Sequence, residues 1–253
     1  MIALLSPAKT LDYSPVETAT TQPRALAKSE KLVKSLRRKS VASLQELMHI
    51  SENLAKVNKD RYQSFSLPFT EENAKPAILA FKGDVYLGLE ADTFEEADLD
   101  FAQASVRMLS GLYGLLRPRD LMQPYRLEMG TKLPTRKGKD LYAFWGNDIT
   151  ELINQDIAEN EASLVINLAS QEYFKSVKPE LLNTPVLHIH FKENRNGQYK
   201  VIAFNAKKAR GRMAHLLVKN RITDAEALKA LDVNGYRYND ALSSEWEWYF
   251  TID

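Results

Sequence analysis

Apolar runs in this chain are short, and none repeats with a fixed period. That constrains the fold more than any other feature. No run approaches the roughly 20 residues that a membrane-spanning helix needs, so each must be buried inside a packed protein. Ile2–Leu5 is one such run and predicts a short buried strand. Further strands are predicted over 163–168, 185–192, 198–204 and 246–252. Asn196-Gly197 joins the second and third of these, a type I′ hairpin signal. Helical patterns lie between the strands: 24–38 after Pro23, 95–109 with Leu99, Ala102, Val106 and Leu109 on one face, 140–158, and a basic helix over 206–221. Ser43 and Glu46 can form a capping box, with Leu44, Leu47, Leu54 and Val57 as the stripe of the helix that follows. Gly83 and Gly88 predict a tight turn within 77–89. Strands and helices are interspersed without regular βαβ units, and no linker divides them. The expectation is one mixed α+β domain over 1–253, a mixed sheet surrounded by helices. No glycine-rich fingerprint follows the first strand, which argues against a Rossmann or P-loop protein.

With 253 residues, 44% of them hydrophobic, the chain can build a sizeable core. It has no cysteine. That excludes a disulfide scaffold, a cysteine zinc site, an iron–sulfur cluster and a thiol nucleophile. The start MIALLSPAKT has no basic n-region and does not read as a secretory signal. A cytoplasmic protein with no membrane partner, monomeric by default, is expected.

The net charge of +1 hides a pattern. Residues 24–39 carry +6, 84–100 carry −7, 107–139 carry +6, 192–221 carry +8, and 222–253 carry −5. Charge runs are usually solvated helix faces. The second and third basic runs sit beside glycines and aromatics, which favours a polyanionic partner there.

The glycine turn Ser110-Gly111-Leu112-Tyr113-Gly114 lies between Arg107 and the pair Arg117 and Arg119. A helix running into this turn and another starting near Pro118 would resemble the hairpin of helix-hairpin-helix modules, over about 95–123. Backbone N–H groups at such a turn can bind phosphate. Two residues separate these glycines, where that motif has one. The ordinary alternative is a helix C-cap. Arg126 follows, then Lys132, Arg136, Lys137 and Lys139. Tyr113 or Tyr125 could stack on an unpaired base, although core packing is the commoner role.

Lys207, Lys208, Arg210 and Arg212 crowd the start of the basic helix, and Gly211 inside it calls for a packing or ligand reason. Ser170, Tyr173, Lys175 and Lys178 follow a strand end, a common ligand position. Ser6 and Lys9 are placed similarly, as are Lys82, Asp84 and Tyr86. Acid–base candidates are Asp84, Glu128, Glu172 and Tyr173, with Lys9 and Lys178 as anion stabilisers. None of these pairs has a spacing that specifies a reaction, so no catalytic residue is assigned. His188 and His190 share one side of a strand, but no third ligand is fixed nearby, and no metal or other cofactor is expected.

Six blocks carry a wider resemblance: SPAKTLDY at 6–13, AFKGDVYLGL at 80–89, RMLSGLYGLLRP at 107–118, QPYRLEMG at 123–130, NLASQEYFKSVKP at 167–179 and AKKARG at 206–211. Together the chain resembles the YaaA peroxide-stress family. The resemblance implies a family-specific mixed α/β fold with a positively charged cleft and a helix-hairpin-helix element. It also implies peroxide resistance, lowered unincorporated iron, and binding to duplex and distorted DNA linked to repair. No ferritin-like Glu-x-x-His pairs are present, so any iron effect is expected to be indirect. The DNA-contacting residues expected on this reading are Lys9, Lys82, Ser110, Gly111, Tyr113, Gly114, Arg117, Arg119 and Arg126, then Ser170, Lys175, Lys178, Lys207, Lys208, Arg210 and Arg212. The segments 107–139 and 206–212 are expected to converge on one concave surface. The rival readings are an enzyme acting on nucleic acid or a small anion in that cleft, and an iron-handling protein.

Overall fold

The computed structural model describes residues 1–253. Its main sheet has eight strands: β1 (Ile2–Leu5), β2 (Val106–Ser110), β3 (Gly114–Leu116), β4 (Val165–Asn167), β5 (Val186–Arg195), β6 (Gln198–Lys200), β7 (Arg237–Tyr238) and β8 (Glu247–Ile252). The order is β7-β8-β5-β4-β1-β2-β3, with β6 paired to β5. The five central strands β8, β5, β4, β1 and β2 are parallel, while β3, β6 and β7 add antiparallel edges. Parallel strands covered on both faces are apolar throughout, and β1, β2 and β4 are buried along their whole length. The β5–β6 turn is the expected type I′ hairpin, with φ of 56° at Asn196 and 80° at Gly197.

Besides a single helical turn at Ala77–Ala80, nine helices surround the sheet: α1 (Leu26–Arg37), α2 (Val41–Met48), α3 (Glu52–Ser64), α4 (Asp84–Leu89), α5 (Glu96–Ser105), α6 (Leu141–Trp145), α7 (Asp148–Glu159), α8 (Gln171–Phe174) and α9 (Ala203–Lys219). The mixed sheet surrounded by helices is therefore present.

Several boundaries differ from the sequence reading. The helix expected over 95–109 stops at Ser105, and Val106–Ser110 enters the sheet as β2. A strand buried on both faces reads as a continuous apolar run, and this one happened to extend the helical spacing. No helix begins near Pro118; β3 precedes it and a turn follows. The element over 95–123 is therefore a helix followed by a β-hairpin, not a helix-hairpin-helix. The segment behind Ser43 is two helices. Ser40 accepts the N–H of Ser43 to start α2, His49 ends it at φ 51°, and Ser51 caps α3. Leu54 and Val57, expected on the apolar stripe, face solvent. The helix over 140–158 breaks at Gly146, and the strand over 198–204 stops at Lys200 because α9 begins at Ala203.

Two layers of helices cover the sheet. Arg107, Leu4, Asn167 and His188 are side by side in register and share one face. There α7 supplies Asp156 to Arg107 (Nε–Oδ2 2.7 Å), and Arg24 grips the same carboxylate. Burial works against that carboxylate's charge, but the two arginines hold its pKa below the ordinary range. Glu193, an odd number of residues from His188, faces the other layer, and Asn205 of α9 donates to it (2.6 Å). Gly211 is in α9 for packing: a Cβ there would meet Val85 O of α4 at 1.7 Å, and one on Gly88 would meet Lys208 O at 2.0 Å.

The crossover from β1 runs to β2 on one side, and the chain then returns to β4 on the other. The carboxyl ends of β1 and β4 are therefore a topological switch point, where open α/β sheets form their ligand crevices.

Candidate functional site

The glycine turn is interior. Ser110, Gly111, Leu112, Tyr113 and Gly114 have zero exposure or nearly so. Ser110 Oγ shares a 2.6 Å hydrogen bond with Tyr125 Oη and accepts the N–H of Tyr113 at 2.9 Å. Tyr113 Oη donates to Gln123 O (3.1 Å), and Trp145 Nε1 donates to Gly111 O (3.1 Å). A Cβ on Gly111 would meet Leu127 O at 2.2 Å. Gly114 has φ +73° and its Cβ position lies 2.7 Å from the Trp145 ring. Ser110, Gly111, Tyr113 and Gly114 thus present no surface to DNA. Both glycines serve close packing, and both tyrosines belong to the core.

The arginines around the turn are paired. Arg107 is on Asp156, and Arg117 Nη2 lies 2.8 Å from the fully buried Asp120 carboxylate. Arg119 meets Asp100 at 2.6 Å and also Glu96. Asp156, Asp100 and Glu96 come from other elements, so a count along the chain leaves the charge of Arg107 and Arg119 looking free, whereas Asp120 is only three residues from Arg117.

At the switch point the loops after β1 and β4 touch. Ser6 Oγ accepts the N–H of Ser170 (2.9 Å), and the two hydroxyls are 3.3 Å apart. Tyr86 Oη donates to Ser6 O (3.1 Å). Beside them opens a crevice of about 800 Å³ whose lining includes Lys9, Lys39, Arg126, Lys132, Glu128 and Glu172. Lys9 Nζ and Arg126 Nη2 hold the two oxygens of Glu128 at 2.8 and 3.1 Å. The N–H of Gly130 holds Glu172 Oε1 at 2.9 Å. Tyr173 lies against this wall. Burial first, and then Tyr125 and the two glutamates, push its phenol pKa far up, so the hydroxyl stays protonated.

A second cavity of about 720 Å³ is lined by Lys31 and Lys34 of α1, by Arg38 at its C-cap, and by Arg136 and Lys137, and no acidic side chain lines it. It draws on the same stretches of chain as the crevice, since Arg38 is next to Lys39 and Pro134 lies two residues beyond Lys132. The sequence reading treated the α1 run as a solvated helix face. The signal it had was the +6 charge of residues 24–39; it lacked the second wall.

The remaining predicted residues scatter. Lys82 pairs with Asp12 (3.1 Å), Lys175 sits over the Tyr142 ring, and the Lys178 N–H donates to Thr150 Oγ1. Lys207 is 3.6 Å from Asp84. Lys208 and Arg212 line a separate cavity of about 340 Å³ with Glu90, which Arg212 meets at 3.0 Å. Arg210 forms no ion pair, and its Nε is buried without a partner. The segments 107–139 and 206–212 therefore do not share a single groove.

The two histidines turn to different partners. Asn167 Oδ1 accepts the N–H of Ala169, which leaves its amide to donate to His188 Nδ1 at 3.0 Å. Burial lowers the His188 pKa, so the ring stays neutral. His190 bonds Glu247 and stacks on Tyr249.

Comparison with known proteins gives one consistent answer. A family model described as peroxide stress protein YaaA matches residues 1–242. A "UPF0246 protein" of Saccharophagus degradans is 51% identical over 253 residues, covering 99% of both chains. Another of that name, from Hahella chejuensis, is 51% identical over 255 residues and covers both chains completely.

Proposed function

We propose, from the premise that this chain belongs to the peroxide stress protein YaaA family, that it binds the DNA backbone along the groove between α1 and residues 134–137. The family supports the peroxide-stress role. One observation supports the DNA reading: five cations line the groove with no acid among them. Lys39 and Lys132, neither of them in an ion pair, add cations on the side of the switch point. Arginine and lysine spaced along a concave wall suit a row of phosphates. No side chain in the groove is arranged to read base edges, so contact is sequence-tolerant. Covering the backbone would limit iron-driven oxidation without holding iron.

The test is a salt titration of duplex binding. If all five cations meet phosphates, the slope of log affinity on log salt is about −4.5. Affinity then falls about 500-fold between about 50 and 200 mM salt. Affinity independent of salt, or strong preference for one duplex sequence, would refute backbone binding.

A further inference from the structure

The groove and the crevice are similar in volume, about 720 and about 800 Å³, but different in charge pattern. No acid lines the groove, whereas Glu46, Glu128 and Glu172 line the crevice among its cations. Those carboxylates would repel a continuous row of phosphates. The crevice instead suits a ligand that offers hydrogen-bond donors as well as an anion.

Three stretches of chain meet there. Ser43, Glu46 and Leu47 lie on one face of α2 by their i, i+3, i+4 spacing. Residues 126–132 supply the second stretch. Lys9, from the loop after β1, and Glu172, in the first turn of α8 after β4, supply the third. The cavity is therefore built at the switch point, and its volume is that of an ordinary ligand site. Its charges are of two kinds. Lys9 and Arg126 are held on the two oxygens of Glu128. Lys39 and Lys132 are in no ion pair. Glu172 is half-committed: Oε1 accepts the Gly130 N–H at 2.9 Å, which orients the carboxylate and leaves Oε2 with no protein donor. One cavity thus holds two unpaired ammonium groups and an oriented, free acceptor oxygen.

We infer that the crevice binds a sugar phosphate, free or as the sugar-phosphate part of a nucleotide. Lys39 and Lys132 hold the phosphate, whose roughly two negative charges at neutral pH they offset. Glu172 Oε2 accepts from a sugar hydroxyl, the contact that acidic side chains make with ribose at the switch points of nucleotide-binding sheets. The inference does not rest on DNA binding. Lys34 and Arg38 of the groove take no part in it, so either reading can fail alone.

The probes are inorganic phosphate and ribose bearing phosphate on its primary hydroxyl. Each is titrated calorimetrically into the full-length protein at constant ionic strength. Wild type should bind ribose phosphate about tenfold or more tighter than phosphate alone, the factor that one charge-assisted hydrogen bond supplies. Glu172→Gln keeps an oxygen for the Gly130 N–H but puts an amide donor in place of Oε2. It should lose that advantage while binding inorganic phosphate at least as tightly as wild type. Lys132→Ala, at an exposed position, should weaken both ligands. Lys34→Ala/Arg38→Ala should change neither. AMP binding more tightly than ribose phosphate would assign the site to nucleotides, and equal binding would assign it to the sugar phosphate alone; both outcomes support it. No binding of ribose phosphate by wild type, or equal loss of both ligands in Glu172→Gln, would overturn the site. Displacement of ribose phosphate by duplex DNA in the Lys34→Ala/Arg38→Ala protein would make the crevice part of the DNA surface and overturn the small-molecule assignment.

Discussion

Arg107, Arg117 and Arg119 stand in a basic stretch of sequence, and so do Lys31, Lys34 and Arg38, yet the two regions use charge in opposite ways. In the first, each guanidinium is committed to a carboxylate, one of them supplied from 49 residues away. In the second, the bases line a cavity without acids, and the contacts recorded there are loose, Lys34–Glu30 at 3.5 Å and Lys137–Asp148 at 3.6 Å. The first group holds the fold together, and the second is available to a partner. Charge summed along a chain cannot tell these apart, because pairing is decided by elements that meet only after folding.

The sharpest break in that comparison comes at Asp156. Removing it as Asp156→Ala leaves Arg107, 1% exposed, without its counter-ion. A stability loss of about 3–5 kcal/mol is expected, read by urea unfolding. The DNA affinity of the protein that remains folded should not change.

Gly114→Val comes next. A side chain at φ +73° costs about 1–2 kcal/mol, and the Trp145 ring 2.7 Å away adds overpacking. The melting temperature should fall while DNA affinity of folded protein holds. Reduced affinity at unchanged stability would return the glycine turn to the DNA interface.

These two variants also mark what was legible in the sequence. β1, β4, β8, the Asn196-Gly197 hairpin and the basic helix α9 were readable, because each depends on local pattern or turn chemistry. β2 was not: Val106 and Leu109 continue the spacing of Leu99 and Ala102, and only pairing with β1 makes them a strand. Lys9 lines the crevice, and Ser170 meets Ser6 beside it, both positions marked in the sequence by following a strand. The α1 groove was invisible because its second wall, Arg136 and Lys137, lies about a hundred residues downstream.

The smallest expected effect is pH-dependent. His188 is held neutral in the folded protein, its pKa below the unfolded value near 6.5. Protonation therefore favours the unfolded chain, and stability is lost as pH falls from about 6.5 toward the folded pKa. Urea midpoints from about pH 7 to about pH 5 should decline in wild type, and His188→Gln should flatten part of that slope. An unchanged slope would mean the ring titrates freely.

The central claim, that free and committed charge are separated between these two regions, is tested most directly by removing equal charge from each. Lys34→Ala/Arg38→Ala and Arg117→Ala/Arg119→Ala each delete two cations. Duplex affinity across a salt series is measured for both beside wild type. The account predicts that the α1 pair lowers the salt slope by about 2 with little change in melting temperature. It predicts that the 117/119 pair keeps the wild-type slope and loses stability. A wild-type slope in the α1 variant, with a reduced slope in the 117/119 variant, would contradict it.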